Sequence, residues 1–349
     1  MRFRNGGLEF IIIFIKSRRL AMTNCTEQEI KWARLVDERL PNIYDKIHHA
    51  YKRWNQPIRD YLRTETGLRM NIGEDTQSVP VTLEYGLPDH FKQALSDFED
   101  SGLEWLLLNR PQIESSIKGL SLISAGLDLF GVNRLLNNKH IPQDRIASSI
   151  EIAKCKNTFE TLLKIADEFA FTKRIFDIEK DVFGIYTPHR PAVKIMWLPI
   201  AIVSLNNDID PEALTVVVLA HELAHAYTHV GRDIDGNQWH TQDMVNAELK
   251  IVEGLAQYYT EAVCERLASR FPKALEVFNI FLDNQPECYT AYLNWFEKGE
   301  RSGEVIRSAL LECRAKSITS HDHLVNIIKY YAENTPTSRR KQPILINYN

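Results

Sequence analysis

Cysteine is scarce in this sequence. Cys25, Cys155, Cys264, Cys288 and Cys313 are the only five in 349 residues. Their number is odd, their spacings are wide, and no Cys-x-x-Cys occurs. That excludes a disulfide framework or a thiolate metal site as the organising device, and a reducing compartment, the cytoplasm, is the expectation. Charge of one sign is also missing: 42 Lys and Arg stand against 46 Asp and Glu, a formal net charge of −4. The two signs are interspersed, so nucleic acid is not an expected partner. An apolar run long enough to cross a bilayer, about 20 residues, is missing at the N-terminus. Leu8 to Ile15 is apolar but short, and Glu9 interrupts it. Arg2 and Arg4 precede it as in a signal peptide, but no small-x-small cleavage site follows. Residues 1–21 are therefore set apart as a leader or non-native segment, with Met22 the favoured natural start.

What remains is an ordinary globular composition, 44% apolar and 25% charged, enough for a sizeable core. Residues 22–178 read as a helical N-terminal region. Thr26 with Glu29 forms a capping-box pattern, and Pro41 breaks the helical periodicity that follows. Residues 66–90 are loop with a short strand near 79–85. Past residue 179 the pattern changes. Val182–Tyr186 and Val193–Trp197 read as strands joined by a Pro-containing turn; 200–205 is apolar and of open type. Asp210-Pro211-Glu212 starts a helix: Asp as N-cap, Pro at the first position, an acid in the first turn. Gly231 is its expected stop. A second helix is expected over 242–268. Residues 179–270 form the core region, 271–334 a helical C-terminal region and 335–349 a tail.

The chemistry sits in the first of those two helices, at His221-Glu222-Leu223-Ala224-His225. A helix turns about 100° per residue, so residues four apart share a face. His221 and His225 then stand roughly 5–6 Å apart at Cβ, a separation from which two imidazoles can grip one cation. Glu222 borders the same face and can take a proton from water without being a ligand. A Lewis acid, a water and a carboxylate are what metal-assisted hydrolysis needs. The preceding run, Ala213 to Ala220, is almost wholly apolar, so the motif lies in a buried helix, where unpartnered polar groups are costly. A third protein ligand is required. Glu253, flanked by apolar residues and followed by Gly254, is favoured over Glu248; Glu261 is solvent-facing or supporting. His229 lies one turn beyond His225 and either contacts substrate or is a satisfied structural histidine. Tyr258 and His240 compete as stabilisers of a developing oxyanion. Arg232, Asp233 and Asp235 belong to a polar loop after the helix and read individually as solvated.

His221-Glu222-x-x-His225 followed by Glu253-Gly254-x-Ala256 resembles the gluzincin zinc metallopeptidases. The interval of 28 residues from His225 to Glu253 is longer than in thermolysin-like enzymes and similar to the bacterial collagenase-type branch. The resemblance covers about residues 211–262. It implies a zincin-like core, zinc on His221, His225 and Glu253, and Glu222 as general base. Gln257 stands where many gluzincins carry an acid that orients a ligand histidine; its carbonyl can still accept an imidazole N–H.

The expected protein is thus an α+β chain, predominantly helical, with a zincin-like core between helical flanks. The expected activity is zinc-dependent hydrolysis of a peptide bond in a peptide or protein substrate. The alternative is a non-catalytic, metal-stabilised interaction or regulatory module.

Overall fold

The computed structural model describes residues 25–70, 79–136, 143–176, 182–296 and 302–335. The expectations for 1–21 and for all of the tail but Thr335 lie outside these.

Helix α1 (Glu27–Arg39) starts at the expected capping box: Thr26 accepts from the Glu29 amide, and Glu29 accepts from the Thr26 amide. Pro41 separates it from α2 (Ile43–Thr66), whose Ile47, Ala50, Trp54, Ile58 and Leu62 form a buried stripe at helical spacing. Then follow β1 (Val81–Glu84), α3 (Asp89–Asp100), α4 (Glu104–Leu108), α5 (Arg110–Leu136), α6 (Gln143–Glu168) and α7 (Phe171–Phe176). Helices α5 and α6 pack on one another. A small separate core of Leu106, Ile113 and Ala166 forms at their base.

The two expected strands are β2 (Gly184–Thr187) and β3 (Ala192–Met196). With β1 they form a sheet of order β1-β3-β2. β2 runs antiparallel to β3, while β1 runs parallel to it, with Val81 opposite Val193. The stretch of open type is helical, α8 (Trp197–Asn207). It is buried on every side from Trp197 to Ser204, and such a segment has no polar face for periodicity to reveal.

Helix α9 (Pro211–Val230) is the centre of the molecule. It touches α2, α8, β2 and β3, and two later helices, α11 (Leu249–Leu267) and α12 (Lys273–Leu282). Every residue from Ala213 to His229 is buried. Val216, Val217 and Val218 are poor helix formers, so this burial sustains the helix. The second expected helix is two: α10 (Thr241–Asn246) and α11, broken at Ala247 and Glu248. The Glu248 amide donates to Thr319 O at 2.9 Å, a partner from far along the chain that takes the place of a helical bond. After α12 come α13 (Glu287–Thr290), a 3-10 turn (Ala291–Asn294), α14 (Gly303–Ala315) and α15 (His321–Asn334).

The chain is therefore predominantly helical with one small mixed sheet. A single main core runs from Trp32 to Ile328. The boundaries near 178 and 270 mark changes of sequence pattern within it. Among the described residues no helix is long and apolar enough to cross a membrane.

The start of α9 yields a test. Asp210 Oδ1 accepts from the amides of Glu212 (2.9 Å) and Ala213 (3.4 Å), and Lys273 pairs with Oδ2 at 2.7 Å. Burial alone would raise the Asp210 carboxyl; Lys273 and the two amides outweigh it and hold the carboxyl below its ordinary value. A depressed carboxyl stabilises the fold above its unfolded-state value and stops doing so as pH falls through the folded-state value. Asp210→Ala is expected to cost about 1 kcal/mol at neutral pH. In thermal melts the gap to wild type should hold down to about pH 5 and close below about pH 3.9.

Candidate metal centre

Two adjacent turns of α9 and one turn of α11 bring three electron-pair donors together. His221 Nε2 lies 3.1 Å from Glu253 Oε2, His225 Nε2 lies 3.3 Å from the same oxygen, and the two Nε2 atoms are 3.1 Å apart. The imidazole planes stand at 89° with centroids 4.6 Å apart. Ligands bound at 2.0–2.1 Å around a tetrahedral ion are separated by about 3.3 Å, close to all three distances. Among the described residues this is the group of His, Cys, Asp or Glu that can hold a metal ion, with its ligand atoms all within 4.8 Å. The donor set fits: two imidazole nitrogens and a carboxylate suit a borderline cation such as zinc.

Exposure is 9% for His221, 3% for His225 and 7% for Glu253. Burial would raise the Glu253 carboxyl, but the charges and hydrogen bonds of His225 and His221 hold it far below the ordinary carboxylate range. The two imidazoles thus favour the carboxylate form of Glu253 over its neutral form.

Glu222 is 2% exposed and lies against β2 beside Gly184. With His221 it borders a cavity of about 80 Å³ between β2, α9 and α12. The walls are apolar: Val182, Phe183, Leu214, Val217, Phe278 and Phe281 are among them, and Gln257 and Gln285 add polar groups. The Gln257 amide nitrogen donates to Gln285 Oε1, tying α11 to the turn before α13.

His229 is structural. Its Nδ1 meets Tyr186 OH at 2.7 Å and its Nε2 meets Thr241 Oγ1 at 3.1 Å. Burial, aided by the nearby Arg314, His189 and His240, pushes its pKa down to about 4, so the ring is neutral at pH 7. Both nitrogens are committed away from the triad. The Tyr186 ring, anchored by that bond, stacks over His225 at 6.4 Å and 12°.

Two expected residues are not brought to the triad. Tyr258 is five residues past Glu253, about 140° around α11; its ring packs on Tyr259 and Tyr292 at centroid distances of 5.3 and 6.3 Å. His240 is exposed at the start of α10, and its carbonyl accepts from the Asp243 and Met244 amides. Glu248 is exposed at the N-cap of α11. In the loop, Asp233 Oδ1 accepts from the amides of Asp235 and Asn237, and Arg232 pairs main chain to main chain with Arg69. A residue outside the motif and its helix stands nearer: the Tyr289 ring is 5.8 Å from that of His221 and lines the cavity. Its position follows from how the turn after α12 folds back, which no local spacing encodes.

Metal analysis by mass spectrometry tests the triad. Wild-type chain supplied with zinc is expected to retain about one ion per chain. His221→Ala, His225→Ala and Glu253→Ala should each lose it on dialysis, and Glu248→Ala should not.

No family model, no curated protein and no solved structure matches this chain.

Proposed function

We propose that this chain is a zinc-dependent metallopeptidase with a zincin-like core. His221, His225 and Glu253 hold the ion, and Glu222 is the general base. The observation that carries this reading is the convergence of His221, His225 and Glu253, with a further carboxylate, Glu222, lining the same cavity as His221. Structural zinc sites use four protein ligands, whereas catalytic sites use three and keep a position open. The nearest further histidine, His229, is occupied by Tyr186 and Thr241.

Zinc in this triad would supply Lewis acidity, polarising a carbonyl and lowering the pKa of water. Glu222 takes the proton of the attacking water and passes it to the leaving amine. Its 2% exposure excludes bulk water from that transfer. Tyr186 fixes the plane of the His225 ring by stacking on it. Tyr289, beside His221, is the aromatic hydroxyl best placed to reach a developing oxyanion.

A peptide substrate suits the surroundings. Among the described residues β2 stands at the edge of the sheet. The Met196 amide donates to Phe183 O at 2.8 Å, so residue 183 faces β3. Main-chain groups alternate along an antiparallel strand, which turns those of Gly184 and Tyr186 to the free edge. An extended peptide can pair with such an edge, and the apolar cavity beside Glu222 accepts an apolar side chain next to the scissile bond.

The second reading, a metal-stabilised interaction module, draws on the burial of all three ligands below 10% exposure. One substitution separates the two. Glu222→Gln should keep its zinc and lose about 10²–10⁴-fold in turnover on a peptide library read by mass spectrometry, with cleavage beside apolar residues in wild type. Cleavage by the variant at the wild-type rate would sink the mechanism; a zinc-loaded wild type that cleaves nothing would favour the module.

A further inference from the structure

β2 carries a glycine where a strand usually carries a β-branched or aromatic residue. A glycine inside a strand marks either an unusual backbone or a close approach by another group. The backbone at Gly184 is ordinary: it pairs in register with Ile195, and its φ lies outside the positive region that disfavours side chains. The close approach is to Glu222. A Cβ at position 184 would fall 2.6 Å from both Cγ and Oε1 of Glu222 and 2.8 Å from its Cδ. Carbon atoms in contact sit at about 3.5–4.0 Å. The missing side chain is the space that the Glu222 side chain fills.

Glu222 can yield only toward the cavity it borders. Its neighbours Ala220, Leu223 and Ala224 are fully buried, so α9 cannot roll away. The blocking atoms include Cγ, next to the backbone-anchored Cβ, as well as the carboxylate end. A methyl group at 184 must therefore either turn the carboxylate to another rotamer or lift β2 from α9.

We infer that Gly184 is a positioning residue for Glu222: the strand closes over the side chain at the one position without a Cβ and fixes where the carboxylate stands relative to His221. The steric part rests on geometry alone. The catalytic part rests on the proposed role of Glu222 as base.

The test is a double-substitution cycle on the full chain, with three readouts. The variants are Gly184→Ala, Glu222→Ala and the pair together. In melts of metal-free protein, Gly184→Ala should lower Tm by about 2–6 °C in the wild-type background and by clearly less when Glu222 is replaced by alanine. Zinc content should stay at the wild-type level in Gly184→Ala. On cleaved peptides, Gly184→Ala should lose about 10²-fold in kcat with KM little changed.

An equal Tm loss with and without the Glu222 side chain would overturn the inference, because the methyl group would then meet something else. Coupled melting with wild-type kcat would also overturn it, leaving the glycine as a packing device. If no variant, wild type included, cleaves peptide, the peptidase reading fails separately. The melting cycle still decides whether Gly184 makes room for Glu222.

Discussion

Three lone-pair donors facing one another at 3.1–3.3 Å inside an apolar core are the constraint on which the rest of this fold depends. Such convergence needs either a cation between the groups or a proton shared between imidazole and carboxylate. It must therefore be imposed by the packing of two helices. α9 is held from all sides, so its low intrinsic helicity at Val216–Val218 does not matter. α11 is brought close at Gly254, one residue past Glu253, where a Cβ would fall 2.7 Å from Trp295 Cζ2. The indole is itself fixed, its Nε1 donating to His321 Nε2 at 3.1 Å. The C-terminal helices are thus part of the apparatus that aims Glu253, even though they contribute no donor to the triad.

Much of α9 was legible because its signals are local. The Asp210 cap, Pro211 at the first position and the spacing of His221 and His225 each act within one or two turns. The capping box at Thr26 is legible for the same reason. Gly231 does end the helix as expected, but on other grounds. Its φ is −62°, not left-handed, and its glycine character answers crowding: a Cβ would meet Tyr227 O at 2.3 Å and Leu68 Cβ at 2.9 Å. That Glu253 rather than Glu248 meets the two histidines was also readable, since apolar neighbours imply burial and burial implies a partner.

What was not legible depends on contacts distant in sequence. The break between α10 and α11 follows from Thr319 capturing the Glu248 amide, and no residue near 248 announces that. Parallel pairing of β1 with β3 joins residues more than a hundred apart. Tyr258 was drawn toward the triad by its nearness in sequence to Glu253, but helical rotation carries it away and turns Gln257 toward the cavity. Nothing around Tyr289 in the sequence signals chemistry; it reaches His221 only through the turn that follows α12. Gly184 did carry a signal, a glycine within a strand pattern, whose meaning emerged once its neighbour across the gap proved to be Glu222.

The open position at the proposed zinc ion depends finally on a residue that does not bind it. His229 continues the series His221, His225 at the same interval of four and would be the natural candidate to close the coordination sphere. Two bonds prevent this. Tyr186 and Thr241 take both of its ring nitrogens at 2.7 and 3.1 Å, and its depressed basicity keeps the ring neutral. The neutral ring carries one hydrogen, so it donates one of these bonds and accepts the other; both roles are filled without a metal. Tyr186 belongs to the same strand as Gly184, two residues on, and so lies on the same face of the sheet. One face of β2 therefore does two jobs. At Gly184 it leaves out a side chain where that of Glu222 packs. At Tyr186 it supplies one that holds the surplus histidine away and stacks on His225. On the proposed reading, the short strand, rather than the motif helix alone, separates a three-ligand site with a base from a closed four-ligand one.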